Sequence, residues 1–389
     1  MKKLINLLVV ILTMNVANAQ WQQTSLDSTI VNTLAVSGNN LIAGTSINGI
    51  YLSSNNGISW TIINTGLTIT NINALAISDS NIFAGTNGGG VYLSTNNGSS
   101  WVTVNTGLTS SNIYSLAVNG SKIFAGTDSG VFLSTNNGAS WTYLNTNIKP
   151  YTLAISGNNI FAGTLTQGVF LSTDNGANWT AVNTGLSTTA ILSLAICGDN
   201  IFAGSYGWGV FLSTDNGANW VEVNTGLTGL YIHSFAVNEN NIIVGTSTLM
   251  GVVGGVFLSS NNGSNWIDMN AGLTDSTILS LVVSGIYVYA GTLGAGVWRR
   301  PLSEMVGINQ NTLENNVSIY PNPTKDNLII ETNSTNDLKL EIINLIGQTK
   351  YTSYINKKAK VNTFAFANGV YILKLSSDKK TVVSKFIKQ

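Results

Sequence analysis

Few side chains between residues 21 and 301 have the chemistry of an acid, base, nucleophile or anion clamp: ten carboxylates, Cys197, His233, Lys122, Lys149, Arg299 and Arg300. Cys197 is the only cysteine, so no intramolecular disulfide forms. With one histidine in the chain, a Cys/His zinc site cannot be assembled. A Ser or Cys nucleophile would have His233 as its sole imidazole base, and Cys197 ends an apolar run like a small core residue. Nothing in the chain calls for a cofactor. Glycoside hydrolysis needs only two carboxyls, roughly 5–9.5 Å apart, and remains the one reaction the composition could support. Ten acids against four cations cannot neutralise a run of phosphates, which excludes nucleic acid as a partner.

These groups must be positioned by strands. Charged residues make up 9% of the chain, hydrophobic residues 44%, and 40 residues are Gly. The apolar residues come in short runs broken by Gly, Asn, Ser and Thr, the texture of many short strands and tight turns. The first twenty residues differ. Lys2 and Lys3 precede an apolar stretch over 4–14 and a small-residue site at Ala17-Asn18-Ala19. That stretch is too short to span about 30 Å of hydrocarbon. It is the pattern of a signal peptide over 1–19, cut between Ala19 and Gln20, with no membrane span in the mature chain.

Tryptophans at 21, 60, 101, 141, 179, 220 and 266 mark seven repeats of one unit. After each Trp come an apolar strand, an Ile-Phe-Ala-Gly-Thr-like strand and a Val-Phe-Leu-Ser-like strand. The small-residue strand recurs at Ala43, Ala84, Ala125, Ala162, Ala203, Val244 and Ala290. Four strands repeated seven times predict an all-β fold, a seven-bladed β-propeller over 20–302. The array starts with a Trp strand and ends at Arg300 without one, so the N-terminal strand is expected to close the seventh blade and remove the exposed sheet edge.

Six copies of Ser-x-Asx-x-Gly-x-x-Trp, at 53–60, 94–101, 134–141, 172–179, 213–220 and 259–266, stand before the Trp strands. This motif resembles the Asp-box, or BNR, repeat of sialidases, some xyloglucan-active glycosidases and photosystem II assembly factors. The Asx side chain can bond turn N–H groups and Gly can take positive φ, so the boxes read as structural. A sialidase of that kind would grip a carboxylate with three arginines. Arg299 and Arg300 are adjacent on one strand, their side chains on opposite faces, and cannot converge. On this strand order Asp27, Asp128 and Asp275 fall on the loop face. Asp27 and Asp275 occupy matching Asp-Ser-Thr-Ile turns on neighbouring blades, at the limit of useful separation for sheets about 10 Å apart.

Residues 303–316 read as a linker. Seven short strands are then expected at 317–320, 327–332, 338–346, 349–355, 360–365, 370–375 and 382–387, a small Ig-like β-sandwich. Tyr320-Pro321-Asn322-Pro323, Asn344-Leu345-Ile346-Gly347-Gln348, Gly369-Val370-Tyr371 and Lys385-Phe386-Ile387-Lys388 occur in that order. Residues 317–389 thereby resemble the type A sorting domain of the Bacteroidetes type IX secretion system. The resemblance implies the type IX secretion machinery as partner, and release from, or attachment to, the outer-membrane surface.

The functional surface is expected where Asn32, Asn73, Tyr114, Tyr151, Leu192, His233 and Leu279, aligned at the start of each innermost strand, ring one channel mouth. Loops between second and third strands open on the same face. Tyr206-Gly207-Trp208 in blade five and the lengthened 247–255 loop in blade six depart from the repeat. Tyr151, Tyr206, Trp208, Tyr231, His233 and Met250 are therefore expected to cluster over blades four to six and to bind a glycan or surface protein. An Asp-box glycoside hydrolase or lyase using loop-face carboxylates is the second reading.

Overall fold

The structure, a computed structural model, describes residues 20–144, 147–248, 251, 253–305, 317–332, 337–344, 348–376 and 381–389, the last without the side chains of 381–383 and 385. Of the expected features, the signal peptide with Ala19, Met250 and Gly347 lie outside these residues. Two compact units, Met1–Met305 and Val306–Gln389, divide the chain.

Unit one holds seven four-stranded antiparallel sheets among the described residues. The first runs Val31–Ser37, Asn40–Thr45, Ile50–Ser53, Thr61–Ile62, and the next five repeat that order. The seventh runs Ile278–Ser284, Tyr287–Thr292, Val297–Pro301, and its fourth strand is Gln22–Gln23 from the other end of the unit. There Gln22 pairs with Arg299 and Gln23 with Trp298. The first strand of each sheet packs on that of the next, and the seventh sheet's packs on the first sheet's.

The repeat consensus follows from this packing. Apolar clusters lie between consecutive sheets. Ile42 and Ile50 of the first sheet, for example, pack with Ile72, Ile82, Tyr92 and Trp101 of the second. Tyr289 and Val297 of the seventh likewise share a cluster with Val31, Leu34 and Leu41 of the first. In each Ala-Gly-Thr strand the Gly lies where a Cβ would strike the next sheet: at Gly85 it would meet the Ile113 side chain. The Thr is buried and caps the following loop, Thr86 Oγ1 donating to Gly90 O at 2.9 Å. The Trp staples sheets together. Trp101, Trp141, Trp220 and Trp266 donate Nε1 to the backbone O of Ile63, Val104, Val182 and Val223, each in the preceding repeat, at 2.7–2.8 Å.

Of the expected linker only Ser303–Met305 lies among the described residues. Leu302–Met305 forms one helical turn, and Met305 is buried with Trp21 and Met269, because an apolar side chain there completes the seventh sheet's core. In unit two, Val317–Tyr320, Asn327–Thr332 and Lys358–Asn362 form a three-stranded sheet. Thr349–Ile355, Leu338–Asn344, Gly369–Ser376 and Thr381–Lys388 form a four-stranded one. One core joins them through Leu328, Ile330, Leu340, Ile342, Leu373 and Phe386. The strand expected over 360–365 sits earlier. Asn362 Oδ1 accepts from Phe364 N at 2.9 Å, and a turn from Thr363 O to Phe366 N ends the strand.

Candidate functional site

Each innermost strand of unit one carries a β-bulge one residue in. Val31 pairs with Thr45 and Thr33 with Gly44, leaving Asn32 without a partner, and the other six sheets repeat the shift. A bulge re-aims the extra side chain. The seven bulged residues, Asn32, Asn73, Tyr114, Tyr151, Leu192, His233 and Leu279, all line one cavity of about 600 Å³. Asn32 and Asn73 tie their own sheet to the next, donating Nδ2 to Ile72 O and Ile113 O at 3.0 Å. Tyr151 sits with Tyr114, ring centroids 5.9 Å apart, and burial raises its phenol pKa. His233 Nε2 lies 3.0 Å from Ser247 Oγ, and burial lowers the imidazole pKa.

The expected single cluster is divided. Tyr151 and His233 line the cavity, whereas Tyr206, Trp208 and Tyr231 do not. The bulged positions face the cavity, whereas Tyr206 packs against Tyr231 instead. Tyr206 and Tyr231 meet edge to face at 4.8 Å. Tyr206 and Trp208 are 52% and 50% exposed. Their loop is nonetheless fixed: Gly207 N and Gly209 N both donate to Leu230 O, Trp208 N to Ser205 Oγ at 3.1 Å, and Asn224 Nδ2 to Trp208 O at 3.0 Å. The sequence reading set Tyr114 in the ring at the channel mouth but left it out of the binding cluster that takes in Tyr151, although both occupy the same aligned position.

The carboxylates are occupied by turns. Asp275 accepts Thr277 N at 2.9 Å and Gly294 N at 2.8 Å. Asp128 accepts Ser110 Oγ at 2.6 Å and Asn112 Nδ2 at 2.9 Å, and the Ser110 bond foremost holds its pKa below the ordinary range. Such a group is ill-suited to donate a proton near neutrality. Asp27 accepts Ser28 Oγ at 3.0 Å. Arg299 donates to Asn56 O and lies over Tyr287, while buried Arg300 donates to Met269 O at 2.7 Å. Among the described residues no group of three His, Cys, Asp or Glu side chains could hold a metal ion.

In unit two the separate motifs meet. Asn322 Oδ1 accepts Ile387 N at 2.9 Å, Thr324 N donates to Ile387 O at 2.8 Å, and Gln389 N to Thr324 O at 2.9 Å. The Pro-Asn-Pro turn thus clamps the C-terminal strand. Tyr320 is exposed, Pro321 and Pro323 flank the clamp, and Lys388 is buried. Tyr371 stacks on Phe386 at 5.5 Å and donates to Ala367 O, and Gly369 pairs with Lys388. Gln348 donates its N–H to Asn344 Oδ1 at 2.8 Å. Lys385 pairs through its backbone with Ile372. Residues 318–389 match the family described as secretion system C-terminal sorting domain.

Unit two is a type IX sorting domain. The sorting domain marks the chain for secretion to the cell surface or outside. No helix among the described residues is long and apolar enough to cross a membrane. No curated protein matches in sequence. Solved structures match in fold. PorZ of Porphyromonas gingivalis, an essential surface component of the type IX secretion system there, is 16% identical with a TM-score of 0.59, over 93% of this chain and 59% of that one. The GH74 enzyme of Niastella koreensis is 19% identical with a TM-score of 0.55, over 72% of this chain and 44% of that one. YCF48 of Cyanidioschyzon merolae is 15% identical with a TM-score of 0.54, over 73% of this chain and 98% of that one. The chain therefore spans about three fifths of the PorZ structure and under half of the GH74 one. These likenesses establish a β-propeller fold and no shared activity.

Proposed function

We propose that the protein is a secreted or cell-surface binding or scaffold protein. Its ligand, a glycan or a surface protein, docks on the loop face of a seven-bladed Asp-box propeller closed by its own N-terminal strand. An Ig-like sorting domain hands the folded propeller to the type IX secretion machinery. Support for closure comes from the pairing of Gln22–Gln23 with Val297–Pro301 and from the cluster shared by the seventh and first sheets.

The observation that carries the binding reading is the Tyr206–Trp208 loop. Two half-exposed aromatics are held there by five hydrogen bonds on a rigid turn, with Tyr231 edge-on beneath. Exposed rings on a fixed backbone lose little entropy on binding and present flat apolar faces to sugars or protein anchors. The loop-face carboxylates, each accepting hydrogen bonds from nearby residues, give the hydrolase reading no comparable support.

Glycan-array and surface-extract binding of the mature protein supplies the ligand for the test. Trp208→Ala then weakens binding at least tenfold, about 1.4 kcal/mol, with the melting temperature nearly unchanged. Lost stability with retained affinity would make Trp208 a packing residue and move the site elsewhere.

A further inference from the structure

We infer that the mouth of the central cavity is a second ligand site, which takes one uncharged sugar ring against Tyr114 and Tyr151 and the amides of Asn73 and Asn87. The inference rests on the reading of the chain as a binding protein, but not on the Trp208 platform.

The cavity, about 600 Å³, is of the size that holds a small ligand. Its lining contains no Asp, Glu, Lys or Arg, and twelve of its 21 residues carry a hydroxyl, amide or imidazole. A charged ligand would be desolvated there with no opposite charge to meet it. A wholly apolar one would leave Ser115 Oγ and Ser234 Oγ, which have no hydrogen-bond partner among the described residues, unsatisfied. Burial lowers the His233 imidazole pKa, which favours its neutral form.

Around the mouth the chemistry is uneven. The first two sheets contribute Asn32 and Asn73, the third and fourth Tyr114 and Tyr151, and the rest Leu192, His233 and Leu279. Tyr114 and Tyr151 are each 36% exposed, with rings tilted 35° to one another. Asn73 spends its Nδ2 on Ile113 O, which leaves Oδ1 without a protein donor among the described residues. Asn87 lines the cavity from the adjoining loop and uses only its backbone N–H, on Asn71 O at 3.0 Å. Flat rings therefore stand beside planar amides on neighbouring sheets. A pyranose offers the complement, an apolar C–H face bounded by hydroxyls that both donate and accept. An aliphatic side chain from a peptide would instead want apolar walls, and at the mouth only Leu192 and Leu279 supply them.

The test titrates the full mature chain by calorimetry with cellohexaose, maltohexaose, xylohexaose and mannohexaose. At least one is expected to bind. Tyr114→Ala/Tyr151→Ala should weaken it at least tenfold with an unchanged melt, and Tyr114→Phe/Tyr151→Phe should stay within threefold, because the rings carry the contact. The Phe pair keeps the test decisive if the Ala pair misfolds: a tenfold loss there would refute ring stacking. Binding of none of the four oligosaccharides overturns the sugar assignment. So does loss of a surface-protein peptide digest, rather than a sugar, in the Ala pair. Full affinity in the Ala pair with loss in Trp208→Ala sinks this site and leaves the proposed function standing.

Discussion

At the scale of residues, five of the six box turns pair a donor with an acceptor across the turn. Asn55, Asn96 and Asn136 each donate Nδ2 to a Ser hydroxyl four residues on, at 2.9 Å. Asp174 and Asp215 instead accept from the Nδ2 of Asn178 and Asn219, at 2.7 and 2.8 Å. An amide offers donors where a carboxylate only accepts, and in these five boxes the two positions change together. Asn261 faces Asn265 in the sixth box, where Asn261 Oδ1 accepts from Asn265 N at 3.0 Å and from Ser259 Oγ at 2.9 Å. Asp174→Asn alone should lower the thermal midpoint at pH 7, and Asp174→Asn/Asn178→Ser should restore it; equal midpoints for parent and single variant would break the rule. The pH dependence has a definite sign. Bonds from Asn178 depress the Asp174 carboxyl to about 2. Its contribution is therefore full above the unfolded value of about 3.9 and disappears as pH falls toward 2. Melts between pH 4 and 2 should show a smaller loss in the double variant than in the parent, since Asp215 keeps its own turn in both. The Asx-turn was legible from the motif. The pairing was not, because it depends on which atoms of an exposed turn face each other.

At the scale of elements, the N-terminal strand has only two paired residues, yet Trp21 is 3% exposed and donates Nε1 to Met269 O at 2.8 Å, the carbonyl that also takes Arg300. Trp21→Ala is expected to cost about 3–5 kcal/mol by removing a buried ring, measured by chemical unfolding. Deleting 20–26 should in addition expose the edge of Val297–Pro301 and abolish a single cooperative transition. A truncated protein that melts like the parent would refute closure by this strand. The strand's destination could be read from the sequence, since the repeat begins with a fourth strand and ends lacking one. The bulges could not. An extra residue at Asn32 or Tyr151 leaves no mark in the alternation of apolar and polar positions, yet it decides which side chains reach the cavity.

At the scale of the molecule, the units have separate cores, so each is expected to fold without the other. Removing 317–389 should leave a propeller with the parent's melting transition that protease added to intact cells cannot reach, because the sorting domain is gone. Surface display of that deletion would overturn its role in export. What the sequence by itself determined about this protein is what short-range contacts write: strand period, Asx turns, the Trp spacing and the sorting motifs, each complete within a few tens of residues. Only the tertiary structure decided which of the aligned residues meet. The cavity mouth is assembled from seven residues roughly 40 apart in the chain. Whether Tyr151 meets Tyr114 or Tyr206 depends on where a bulge points it, and that direction is set by packing between sheets rather than by neighbours in sequence.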